Sequence, residues 1–259
     1  MQISKSILLY VWAVSVLSQL TPQPFSWTQG GRDWLGMCAT GQSQTPINLP
    51  ESPTNPLQPE FVPIDNVQFS EIYVSSTPSP FSLFNSSGFL LYPAAGTGSV
   101  LINGDWFEGN LTQTHIHVPG AHVFDGVRYP AEIHIFLTPT SNETNYNHLE
   151  IALRVKLGNR NPFFDALINQ EPFDIDQLLN GVLDDYYFYT GSSDVPTPDC
   201  VEPVAWVLPS TVIEAAYDQI DYYYERYVRD FDFAQGHGAM RDLQQLNGRT
   251  IYRATPAVV

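Results

Sequence analysis

The sequence predicts a mostly β, α+β chain folded as one domain, with a few short helices at its periphery. Two observations lead there. Twenty-one prolines and seventeen glycines interrupt the 259 residues at short intervals, which leaves little room for long helices. Between these breaks lie short segments rich in β-branched and aromatic residues, several of them alternating in polarity. With 43% hydrophobic residues, a chain of this length can bury one sizeable core.

In chain order the predicted strands cover residues 89–92, 99–103, 112–118, 131–137, 149–157 and 204–208. The fifth alternates well, with Ile151, Leu153 and Val155 on one face and Glu150, Arg154 and Lys156 on the other. Three helices are expected. Asn161 caps the first, with Pro162 at its first position, and it runs to Ile168. The second covers Ile175 to Asn180. The third starts at Thr211, which forms a capping box with Glu214, and runs to about Tyr227. Two aromatic clusters, 186–189 and 222–224, read as edges of the core.

Residues 1–18 read as a secretory signal. Lys5 supplies the positive start, an apolar run at 7–17 is too short to span a bilayer, and a cut after Ser18 fits a small-residue site. An uncleaved anchor is the alternative reading. The domain then covers residues 19–259, with its β-rich body from about Phe25 to Thr255. Asn85, Asn110 and Asn142 each open a glycosylation sequon. Cys38 and Cys200, an even pair in an exported chain, suggest one disulfide, which would stabilise by roughly 5 kcal/mol in the chain-entropy model. Two buried thiols are the other possibility.

The formal net charge of -16, with Lys5 and Lys156 as the only lysines, argues against nucleic acid and against docking on anionic lipid. Beyond the leader, no apolar run of spanning length follows.

Three of the six histidines, His115, His117 and His134, fall at matched strand positions. His115 and His117 share a strand face, and Asp125-Gly126 is a hairpin signal between them and His134. Symmetric pairing about that turn puts His134 opposite His117, to within about one residue, with Pro119-Gly120 able to bulge the first arm. Three imidazoles with an open fourth position make a catalytic rather than a structural zinc site.

These residues resemble the α-class carbonic anhydrases. One matching stretch runs from Trp34 through Cys38 to Gln44-Thr45-Pro46-Ile47-Asn48. The most specific runs from Gln113-Thr114-His115-Ile116-His117 to Tyr129-Pro130-Ala131-Glu132-Ile133-His134. A third spans Gly191-Ser192 to Cys200 and then Val204-Ala205-Trp206, and a weaker one covers Gln244 to Arg249. The resemblance implies a twisted, mainly antiparallel central sheet and a zinc held by His115, His117 and His134. It makes Gln113 and Glu132 the groups that orient two of those ligands, and Cys38 and Cys200 the disulfide of exported members. Phe136, Val195, Trp206 and Phe89 fall at the substrate pocket, where Phe136 replaces a smaller residue and Phe89 replaces the proton-shuttle His. His122 matches a structural His, whereas His148 and His237 have no assigned role.

The implied activity is reversible hydration of carbon dioxide to bicarbonate by a zinc-bound hydroxide. In the family a Thr hydroxyl, bonded to a buried Glu, orients that hydroxide. Here the Glu position reads Ala121. Aligned from Gly191 the Thr position falls on Asp194, and aligned from Cys200 it falls on Pro196 beside Thr197, so Asp194 and Thr197 are both candidates. The departures imply reduced or altered activity. A non-catalytic binding or adhesion module on the same scaffold is the alternative, and a zinc hydrolase of small esters a third reading.

Overall fold

A computed structural model of the chain describes residues 26–51, 62–63, 72–79, 82, 84–86, 89–102, 105–195, 200–229 and 234–254. Residues 1–18, read above as a secretory signal, and Thr197 lie outside the described residues. The elements in order are α1 Met37–Thr40, β1 Asn48–Leu49, β2 Val62–Pro63, β3 Ile72–Thr77, β4 Phe84–Ser86, β5 Phe89–Ile102, β6 Asp105–His117, β7 Val123–Phe124, β8 Val127–Arg128, β9 Ala131–Pro139 and β10 Leu149–Leu157. They continue with α2 Pro162–Asn169, α3 Ile175–Leu179, β11 Tyr186–Gly191, β12 Val204–Pro209, β13 Ile213–Ala215, α4 Tyr217–Tyr224, a π-helical turn Glu225–Arg229, and β14 Tyr252–Ala254.

Among the described residues an eleven-stranded sheet runs in the order β2-β14-β11-β12-β10-β9-β6-β5-β3, with β13 and β4 paired to β10 and β5. It is mainly antiparallel, as expected, and turns parallel where β10 meets β12 and β13 and where β14 meets β2. No helix among these residues is long and apolar enough to cross a membrane.

The register of β6 against β9 decides the site. His115 stands opposite His134, and His117 opposite Glu132. This corrects the expected His117–His134 pairing by two residues. Asp125 and Gly126 do form the turn, with φ of 47° and 82°, but they close the small hairpin of β7 and β8, which leaves the large sheet to pair with β1. Five residues (118–122) separate β6 from β7, against the three residues that precede the His117 partner Glu132 on the other arm (129–131). The excess of two sits at Pro119-Gly120. A shift of two preserves the face each side chain points to, whereas a shift of one would have inverted it.

Other departures follow from tertiary context. The strands expected at 89–92 and 99–103 are one strand, β5, with an irregularity between Pro93 and Gly96. The aromatic run at 186–189 is strand β11, inside the sheet, with Tyr186 and Phe188 in the larger core and Tyr187 and Tyr189 in a smaller one. The helix expected from Thr211 starts at Tyr217, because Ile213–Ala215 pairs with β10 instead. Glu214 accepts from Asn159 rather than capping, and Gln219 Oε1 accepts from the Ala216 N–H at the true helix start. By contrast Asn161 caps α2 as expected, its side chain accepting from the Phe163 N–H.

Both faces of β10 are buried. Ile151, Leu153 and Val155 join the large core with Ile133, Ile135 and Val207. The opposite face carries Ala152 into a smaller cluster with Trp206, Tyr189 and Phe124. Glu150 and Arg154 share that second face and are buried too, and of its three charged residues Lys156 alone is exposed.

Candidate metal centre

β6 turns His115 and His117 to one face, and β9 brings His134 alongside them. The ring centroids stand 5.0 Å (His115–His117), 4.9 Å (His115–His134) and 4.2 Å (His117–His134) apart. All three side chains are buried. Each has its outer nitrogen bonded to an acceptor. His115 Nδ1 meets Gln113 Oε1 at 2.9 Å, His117 Nδ1 meets the Ala239 carbonyl at 2.6 Å, and His134 Nε2 meets Glu132 Oε1 at 2.8 Å. An acceptor at one ring nitrogen fixes the N–H there and leaves the other nitrogen as a bare lone pair. The bare nitrogens of His115 and His117 then face each other at 3.1 Å.

Glu132 is shared between two rings. Its carboxylate also accepts from the His122 backbone N–H at 2.9 Å and from His122 Nδ1 at 2.6 Å, while His122 Nε2 lies 2.7 Å from the Tyr189 hydroxyl. Burial alone would raise the Glu132 pKa, but His122 and His134 outweigh it and hold it well below the usual carboxylate range. Burial lowers the His122 pKa, although the Glu132 carboxylate acts to raise it.

Two further carboxylates close on the same point. Asp194 Oδ2, just past β11, lies 3.3 Å from His117 Nε2 and 3.7 Å from His134 Nδ1. Glu150 Oε2 lies 3.2 Å from His134 Nδ1, and its other oxygen meets His148 Nε2 at 2.8 Å. His134 Nδ1, Asp194 Oδ2 and Glu150 Oε2 are fully buried without a hydrogen-bond partner.

The charges follow. Burial pushes His115 down to about 3 and lowers His117 too. For His134 burial works the same way, but Asp194, Glu132 and Glu150 overcome it and raise the ring to about 10. Burial raises Asp194 to about 7. For Glu150, burial is outweighed by His134 and His148, and the carboxyl is lowered. Lone pairs from three imidazoles and a carboxylate, mutually within 4.8 Å, fit a divalent cation of the zinc type. Such an ion would supply the positive charge that the carboxylates otherwise draw onto His134 as a proton.

The other expected residues fall around this centre. The Trp206 ring stands edge-on to His134, centroids 5.1 Å apart, and its Nε1 donates to the Ser192 carbonyl at 2.9 Å. Phe136 stacks on His148 at 4.2 Å. Val195 is half-buried beside Asp194. Ala121, wholly buried, offers no side-chain acceptor. Cys38 and Cys200 form a disulfide, with Cα atoms 4.9 Å apart. Asn110 and Asn142 are exposed. The side chains of Phe89 and Asn85, like Thr197, lie outside what is described. His237 meets Asp242 at 3.1 Å. Two partners were not anticipated. The Ala239 carbonyl gives no sequence signal, since any residue has one. Glu150 gave none either, since its place beside His134 comes from the pairing of β10 with β9, which sets Ala152 opposite His134.

A sequence model of eukaryotic-type carbonic anhydrases matches residues 23–255. The chain is 28% identical to carbonic anhydrase Nec1 of Nesocodon mauritianus over 90% of its length and 82% of that protein. It is 27% identical to a carbonic anhydrase of Neisseria gonorrhoeae over 88% of its length and 83% of that protein. Among solved structures, carbonic anhydrase Cah3 of Chlamydomonas reinhardtii in complex with acetazolamide superposes with a TM-score of 0.69 at 23% identity. That match covers 90% of this chain and 99% of the other.

Proposed function

This chain belongs to the eukaryotic-type carbonic anhydrase family, and from that premise we propose that it is an exported zinc enzyme hydrating carbon dioxide reversibly to bicarbonate, at a reduced rate. The observation that supports this most is the convergence of three buried imidazoles, each with its far nitrogen already bonded. His115, His117 and His134 would hold the ion, and Gln113, Glu132 and the Ala239 carbonyl aim them. When bound, zinc lowers the pKa of a coordinated water to about 7, a value established for carbonic anhydrases rather than obtained from this chain, and so supplies a nucleophile near neutral pH.

The rest is done by side chains of this protein. Trp206 and Phe136 give the site an apolar wall that keeps bulk water back, and Val195 follows Asp194 in the chain. Export is supported by the leader at 1–18, the sequons and the Cys38–Cys200 bond. The reduced rate rests on Ala121, which cannot complete an orienting hydrogen-bond chain. Loss of such a bond costs on the order of 10²-fold. Glu150 adds to it by setting a carboxylate beside Phe136 on the face an apolar substrate must share. Asp194 and Thr197 are the candidates for orienting the nucleophile.

Ala121 and the two buried carboxylates beside the histidines also favour a second reading, a binding module on this scaffold. Stopped-flow hydration of carbon dioxide by the zinc-loaded protein separates the two. The enzyme gives a rate above buffer that His117→Ala abolishes. One bound zinc with no acceleration defeats the enzyme and leaves the module.

A further inference from the structure

We propose that Asp194 is itself a metal ligand in the resting centre, so that the water needed for hydration enters the fourth vertex only when this carboxylate lets go. This rests on the metal reading above and goes beyond it.

Spacing is the first support. Four donors held at about 2.0–2.2 Å around tetrahedral zinc stand about 3.3–3.6 Å from one another. Here His115 Nε2 and His117 Nε2 are 3.1 Å apart, His117 Nε2 and Asp194 Oδ2 3.3 Å, and His134 Nδ1 and Asp194 Oδ2 3.7 Å. Asp194 is therefore at ligand-to-ligand spacing from two of the three histidines. An oxygen that reached the ion only through a bridging water would stand about 2.7 Å beyond that water.

Satisfaction is the second. Asp194 is 1% exposed, and its Oδ2 has no hydrogen-bond partner. A buried carboxylate oxygen left so is costly, and a metal ion removes the cost. Glu150 is the rival, but one of its oxygens is engaged by His148, and the donor group mutually within 4.8 Å comprises His115, His117, His134 and Asp194.

The consequence is chemical. A carboxylate that holds the fourth vertex at rest competes with the water that must enter there, in keeping with a reduced rate. Anions that bind at that vertex must first displace Asp194.

The full chain is loaded with cobalt(II), and its visible spectrum is followed as pH is changed across neutrality and as sulfanilamide is added. The parent protein should bind one cobalt and give a four-coordinate spectrum that shifts only weakly across neutrality and on addition of sulfanilamide. Asp194→Ala and Asp194→Asn should keep the fold, acquire a pH-dependent spectrum and bind sulfanilamide at least about tenfold more tightly than the parent. Loss of cobalt from a folded Asp194→Asn chain also counts for a ligand role. A parent spectrum that titrates and binds sulfanilamide as well as the variants do overturns the proposal. Absence of cobalt from the parent defeats the three-histidine reading itself, a distinguishable failure.

Discussion

On the β6 and β9 side of the centre every imidazole has its outer nitrogen bonded to an acceptor, whereas on the facing side Asp194 and Glu150 each leave a buried oxygen unsatisfied. The first side is a finished holder, with each ring's orientation fixed before any ion arrives. The second is finished only by an ion. Aiming the three rings and completing the ion's surroundings are thus the work of different elements, and one can change while the other stays. Ala121 and Glu150 illustrate such drift, since neither touches the bonds that aim the ligands.

The comparison breaks first at the holder. His115→Ala should abolish stoichiometric zinc, because two imidazoles from these strands hold it weakly. Elemental analysis after dialysis reads this, and retained zinc would contradict the assignment. Glu132→Gln should keep the fold but weaken zinc by about 10–100-fold, the usual effect of removing a group that orients a ligand, as measured by competition with a chromogenic chelator. On the facing side, Glu150→Val should leave zinc affinity within about threefold and raise the hydration rate on the order of tenfold, the equivalent of about 1.4 kcal/mol. A fall in zinc affinity as large as that of Glu132→Gln would erase the distinction between the two sides.

The smallest effect lies in the 234–242 segment that presents the Ala239 carbonyl. Burial would raise the Asp242 pKa, but Arg32 and His237 outweigh it and lower it. A depressed carboxyl stabilises the fold above its unfolded value of about 3.9 and loses that contribution as pH falls through the lower folded value. Asp242→Asn should therefore cost about 0.5 kcal/mol at neutral pH, and less as acid protonates the parent's carboxyl. Urea melts at the two pH values read the difference, and a cost that grows in acid would reverse the sign argued here.

How much of this was legible in the sequence depends on range. Spacing of two placed His115 and His117 on one face, and Asn161-Pro162 marked a helix start, because both signals are local. The register was not legible, since the two extra residues near Pro119 act through a separate hairpin that pairs with β1. Thr211 and Glu214 matched a capping pattern but were taken by β10, a case of tertiary pairing overriding a local motif. Glu150 alternated like a solvated residue because β10 is covered on both sides, and alternation cannot say what covers a face.

The central claim is that three imidazoles form one zinc-binding centre, and zinc content tests it most directly. The full-length chain, purified from zinc-containing medium and dialysed exhaustively against metal-free buffer, should retain one zinc per molecule. A chain that folds and keeps its Cys38–Cys200 bond yet retains no zinc would contradict it.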